Sequence, residues 1–187
     1  MCNDYTESIP LIAFFLFGLI CIALFFLVVT VAGNLWTGVP SLPIAGTTAR
    51  AMVEFSALRG DETVYDLGAG DGRILLAAKQ MHPRIHAAGW EILPTLWCVG
   101  ILRRWWSGLH ISLHLGDALH QDLSSVDCIY LYLFPSLMKR LEEKFDHELK
   151  PGTKVVSAVF RFYHHQPVAQ RTVRWLGSSQ LLWLYVW

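Results

Sequence analysis

The sequence predicts an α/β fold: a Rossmann-like, doubly wound, mostly parallel sheet with an antiparallel C-terminal hairpin, preceded by one transmembrane helix. Three observations predict it. Residues 9–32 contain no charged side chain. Beyond them, short β-rich runs alternate four times with helical patterns, as in a parallel sheet wrapped by helices. Two further strands then follow with no helix between them, which closes the sheet antiparallel.

The apolar run comes first. Twenty-four helical residues rise about 36 Å, against a hydrocarbon core of about 30 Å. The eight residues before it carry Asp4 and Glu7 and no base, so it does not read as a cleavable signal. Every lysine and arginine follows the span, Arg50 being the first; that bias directs the C-terminal part to the cytoplasmic side of a single-pass membrane protein. Trp36 suits the headgroup level just past the span. The sequence thus divides into a tail and transmembrane helix (1–33), a linker (34–46) containing Gly38, Pro40 and Pro43, and a C-terminal domain (47–187).

Within that domain, residues 47–58 read as a helix, with Ala49, Met52, Val53 and Leu58 on one face. Residues 63–67 are a strand, and 71–81 a helix with Ile74, Leu75 and Ala78 inward. Residues 85–90 form a strand, 94–107 a helix opened by Pro94, and 110–115 a third strand. The unbroken apolar run 127–134 suits a central parallel strand covered on both faces. Residues 136–149 are a helix with Leu137, Leu141, Phe145 and Leu149 at four-residue spacing. Residues 153–160 are a strand, and 168–175 and 181–187 a hairpin about Gly177, Ser178 and Ser179.

Composition excludes several functions. Fifteen basic residues balance fifteen acidic ones, which argues against a nucleic-acid partner held by bulk charge. Cys2, Cys21, Cys98 and Cys128 have no paired spacing, and the histidines, His164 and His165 included, match no zinc template, so no metal is expected. Nothing in the sequence sets an oligomeric state.

The chemistry concentrates at Asp66-Leu67-Gly68-Ala69-Gly70-Asp71-Gly72-Arg73. Glycines there turn the chain from strand to helix and expose backbone to a ligand. A dinucleotide fingerprint needs a third glycine three places after Gly70, where Arg73 stands. Asp66, ahead of the glycines, repels a pyrophosphate and favours a cationic ligand. Glu91 ends the next strand, placed to accept ribose hydroxyls. Asp117, before Ala118, follows the third. Three carboxylates at the carboxyl ends of consecutive strands line the crevice where such sheets bind ligands.

This constellation resembles the seven-stranded S-adenosylmethionine-dependent methyltransferases. The resemblance assigns Asp66, Gly68, Ala69, Gly70 and Gly72 to the glycine motif, Glu91 to the ribose, Asp117 with Ala118 to the adenine, and Ile92 to the cofactor site. A narrower likeness, carried by residues 66–74, 89–94, 131–135 and 149–156, is to the membrane-anchored lysine methyltransferases, whose mitochondrial members modify the ATP synthase c-subunit and the adenine nucleotide translocase. It implies S-adenosyl-L-methionine as cofactor, S-adenosyl-L-homocysteine as product, and a lysine of a membrane protein as acceptor. Two departures stand out: Leu93 replaces an asparagine, and Arg161-Phe162-Tyr163-His164-His165, in a region that the resemblance places beside the acceptor pocket, replaces a proline- and tryptophan-bearing motif. The helix usual between the fifth and sixth strands is also missing.

A lysine amine with a pKa near 10.4 is almost wholly protonated at pH 7, so the site has to desolvate and deprotonate it. Tyr132, Phe134 and Pro135, leaving the central strand, are the catalytic candidates. Arg103-Arg104-Trp105-Trp106 suits either a solvated helix end or a membrane interface. Two other functions stay open: methylation of a lipid or hydrophobic small molecule entering from the bilayer, and a non-catalytic S-adenosylmethionine-binding module.

Overall fold

In the computed structural model, residues 4–37, 43–175 and 178–187 are described. They form two units, divided at Pro40 and Ser41. The first is a single helix, α1 (Asp4–Thr37), whose stretch Ile12–Leu35 has a mean hydropathy of 3.2. It is long and apolar enough, by length and composition, to cross a membrane. Its aromatic side chains have no core to enter: Phe14, Phe15 and Phe17 are all more than half exposed. The helix runs through Gly33 to Thr37, past the point where the sequence suggested a linker, because one glycine costs only about 1 kcal/mol in a helix. The side chain of Trp36, and Gly38 and Pro40 of the linker, lie outside the described residues, as does Gly177 of the hairpin turn.

The second unit is built on strands β1 (Thr63–Leu67), β2 (His86–Glu91), β3 (Ser112–Leu115), β4 (Cys128–Leu131), β5 (Lys154–Ala158), β6 (Ala169–Trp175) and β7 (Ser178–Val186). They lie in the order β3-β2-β1-β4-β5-β7-β6. The first five are parallel; β7 runs antiparallel between β5 and β6. The expected α/β sheet with an antiparallel C-terminal pair is therefore present. The chain reverses its winding between β1 and β4, and that switch opens a crevice at the strands' carboxyl ends.

Among the described residues, four helices cover the sheet. Helices α2 (Gly46–Ser56), α3 (Arg73–Met81) and α4 (Pro94–Ser107) pack Met52, Val53, Leu75, Ala78, Trp97 and Ile101 onto one face. Helix α5 (Pro135–Glu148) packs Met138, Leu141 and Phe145 onto the other. Pro94 and Pro135 each stand in the first turn of their helix, where the missing N–H is no loss.

Boundaries moved where local geometry overrides pattern. Helix α3 begins at Arg73 rather than residue 71 because Gly72 is left-handed at φ +73°. Strand β4 ends at Leu131, three residues short of the apolar run's end, since Phe134 already precedes the first turn of α5. Tyr132 and Phe134 therefore lie on a connection and Pro135 opens α5, none of them on the strand. A 3-10 turn, Ala118–His120, was not foreseen. No helix intervenes between β5 and β6, as the short spacing predicted.

Candidate active site

The glycine loop joins β1 to α3 at the crevice. The N–H groups of Gly68 and Ala69 both donate to the Trp90 carbonyl, at 2.9 Å each, so the loop is pinned across the end of β2. Gly68 has φ +87°, and a Cβ there would meet the Leu133 side chain at 2.6 Å. The left-handed backbone favours glycine, and any Cβ there would also have to displace the tip of the Leu133 side chain. On the far side, a Cβ on Gly100 of α4 would lie 3.3 Å from the Gly70 carbonyl; its absence lets α4 rest against the loop.

Asp66 lies beneath this loop, 1% exposed. Neither of its carboxylate oxygens has a hydrogen-bond partner among the described residues. Burial, with the charges of Glu91 and Asp71 adding to it, raises its pKa to about 8. A buried carboxylate left without donors is rare and costly in a native fold. It fits a site completed by a cationic ligand.

Glu91 is nearly as buried but well held. Its Oε2 accepts from the Gly70 N–H and its Oε1 from the Leu93 N–H, both at 2.8 Å. Burial raises its pKa, against the pull of those N–H groups. Each oxygen keeps a lone pair for a hydroxyl. Gly116 donates to the Glu91 carbonyl at 2.9 Å, drawing the end of β3 to the same place.

Asp117 is placed differently. Its Oδ1 accepts from the Leu119 N–H at 2.9 Å, capping the 3-10 turn, and its side chain is 36% exposed. Two of the three predicted carboxylates thus sit deep and electrostatically coupled; the third stands at the rim with Ala118 half-buried behind it. Ile92, 40% exposed, is also at the rim, while Ala69 is buried and Gly70 and Gly72 hold left-handed turns.

Asp71, inside the motif, does not face the crevice as a free acid. It pairs with Arg73 at 2.5 Å and with Arg103 of α4 at 3.0 Å. Although burial opposes it, these bonds hold its pKa below the usual carboxylate range.

Past the end of β4, Tyr132 and Phe134 are half-buried and Pro135 exposed. The Phe134 ring lies 5.8 Å from that of Phe160. Beyond β5 the chain passes through Val159, at φ +72°, a conformation that costs a β-branched residue roughly 1–3 kcal/mol. The following loop is held by Glu142 of α5, whose carboxylate accepts from the N–H groups of Tyr163, His164 and His165 at 3.1, 2.7 and 2.9 Å. His165 stacks on Trp187 at 4.2 Å. Sequence reasoning missed Glu142, Val159 and Leu133. For Glu142 the only signal was an acid on the apolar side of α5, between Met138 and Phe145.

A glycine loop over an orphaned buried acid, followed by a ribose-type acid on the neighbouring strand of a seven-stranded sheet, defines an S-adenosylmethionine-dependent methyltransferase. Residues 66–169 match the sequence model of the ANTKMT methyltransferase domain, and the chain belongs to that family. It is 39% identical over 134 residues to the mouse (Mus musculus) adenine nucleotide translocase lysine N-methyltransferase, covering 68% of this chain and 57% of that one. It is 30% identical over 156 residues to a protein-lysine N-methyltransferase of Saccharolobus islandicus, covering 79% and 93%. Among solved structures, an RNA methyltransferase from Salinibacter ruber in complex with S-adenosyl-L-homocysteine superposes with a TM-score of 0.68 at 30% identity, covering 76% of this chain and 93% of that one. The chain thus spans little more than half of the mouse relative and nearly all of the archaeal one.

The residues present fit the donor. Asp66 and the loop backbone would hold its charged end, Glu91 its ribose hydroxyls, and Asp117 with Ala118 its base. When bound, the donor supplies an activated methyl on a sulfonium.

Proposed function

We propose that this chain is a membrane-anchored methyltransferase that N-methylates a lysine of a membrane protein, with its catalytic domain on the cytoplasmic side. The observation that carries the chemistry is the unpartnered Asp66 beside Glu91. The lysine follows from the relatives, both named as lysine N-methyltransferases. Anchoring is supported by α1, and the side of the membrane by the bases that follow the span, Arg50 first. Confinement to one surface raises the effective concentration of enzyme and substrate.

In this reading Tyr132, Phe134 and Pro135 wall the acceptor path, with Phe160 across from Phe134. An apolar wall disfavours the ammonium form of an entering lysine and so supplies the neutral amine. The loop tied to Glu142 forms the outer lip and selects the acceptor.

RNA is the competing acceptor, because of the Salinibacter structure's name. Residues 34–187 hold fifteen bases and thirteen acids, a weak positive charge for a nucleic-acid groove. The deciding experiment incubates native membranes and total RNA with the purified chain and radiolabelled donor. We expect label in protein, on lysine after hydrolysis. Label in the lipid extract or in RNA would replace the proposed substrate.

A further inference from the structure

Helix α4 has an exterior that its fold position does not require. Inward it buries Thr95 and Gly100 and packs Trp97 and Ile101 on the core. Outward, Val99, Leu102, Trp105 and Trp106 are exposed, the two tryptophans by 74% and 78%. At 100° per residue, positions 99, 102 and 106 form one stripe with 105 beside it. Helix α5, of the same length on the opposite face, exposes Lys139, Arg140, Glu143, Asp146 and His147 instead. A contiguous apolar strip on an otherwise polar surface marks a contact site.

We propose that this face of α4 is a second membrane contact, seated at the headgroup level of the bilayer; the inference rests on the anchoring reading above. Chain length supplies the first argument. Residues 38–45 separate α1 from α2, a tether of at most about 29 Å. A unit of this size has a radius of gyration of about 15 Å, so the tether holds it within reach of the membrane surface.

Side-chain chemistry chooses the face. Indoles prefer the headgroup region, and guanidinium groups reach phosphates while their stems lie on apolar surface. Arg103, 45% exposed, and Arg104 flank the strip and match an anionic leaflet. A second copy of the chain is a poorer occupant, since a two-fold contact sets these arginines near their own equivalents. Because α4 also carries Gly100 against the glycine loop and pairs Arg103 with Asp71, a seated α4 orients the donor crevice relative to the bilayer.

The test uses the full chain reconstituted in phosphatidylcholine–phosphatidylglycerol vesicles with lipids brominated near the headgroup or near the chain end. Tryptophan quenching is compared between the unaltered chain and the Trp105→Phe, Trp106→Phe double variant, which keeps the strip aromatic and the fold intact. We expect headgroup-proximal bromine to quench the unaltered chain more than deep bromine, and the double variant to lose about half or more of that quenching. Unchanged quenching in the variant, with the chain still in the vesicles after an alkaline wash, overturns the α4 contact alone. A tryptophan signal that is lipid-insensitive but varies with protein-to-lipid ratio also overturns it, in favour of a second copy. Loss of the chain at the alkaline wash overturns the anchoring reading and this proposal with it.

Discussion

Asp66 concentrates the residue-scale physics. Its folded pKa of about 8 lies far above the ordinary 3.8, so the folded state retains a proton that the unfolded chain releases in between. The stability this confers is full below about pH 4 and is lost as the pH rises through 8. Without donor, unfolding by urea should therefore show the protein weakening steadily from pH 5 to pH 8, and Asp66→Asn should remove most of that slope. With donor the sign reverses: the anionic form binds a cation, so affinity measured by calorimetry should rise with pH toward 8. Asp66→Asn and Glu91→Ala should each weaken donor binding by about tenfold or more, the worth of a charge-assisted hydrogen bond, while circular dichroism stays native. Affinity within about twofold of the unaltered chain in both variants would contradict the site.

Elements position these residues through contacts that cross the sheet. Helix α5 reaches the loop between β5 and β6 through a single buried carboxylate, 2% exposed, that satisfies three N–H groups. Glu142→Ala strands those donors, and a loss of about 2–4 kcal/mol in urea-unfolding free energy is expected; Glu142→Gln keeps one acceptor oxygen and should lose less. Burial alone would raise the Glu142 pKa, but the N–H groups of His164 and His165 outweigh it and hold it low. Its stabilisation is consequently present above the ordinary carboxylate range and lost as acid titrates the group. An equal effect of Ala and Gln would show that bulk, not hydrogen bonding, matters there.

At the scale of the whole molecule, the donor residues all belong to the unit Ser41–Trp187, while the apolar helix belongs to the other. Function and anchoring should then separate. Ile22→Lys with Phe25→Lys puts two charges mid-span, each costing about 2.5–3.5 kcal/mol on insertion scales. That variant is expected to move from the vesicle to the soluble fraction on flotation, with donor affinity within about twofold of the unaltered chain. A parallel loss of donor affinity would mean that the two units depend on each other.

The sequence by itself determined the parallel-then-antiparallel sheet and singled out Asp66, the glycines and Glu91, which the fold brings together at its carboxyl edge. Those signals are local: a strand reads from its own composition, and a turn that only glycine can make announces itself. The path after β4 was not legible, because Tyr132–Pro135 are as apolar as the strand and only the packing of α5 decides where pairing stops. Asp117 looked equivalent to Asp66 and Glu91 by position. The tertiary structure alone shows one acid without donors, one with two backbone N–H groups, and one capping a short turn, because burial and partners are set by segments distant in the chain. Glu142 and Leu133 owe their roles to the same cause: each meets a loop brought to it only by the assembled sheet.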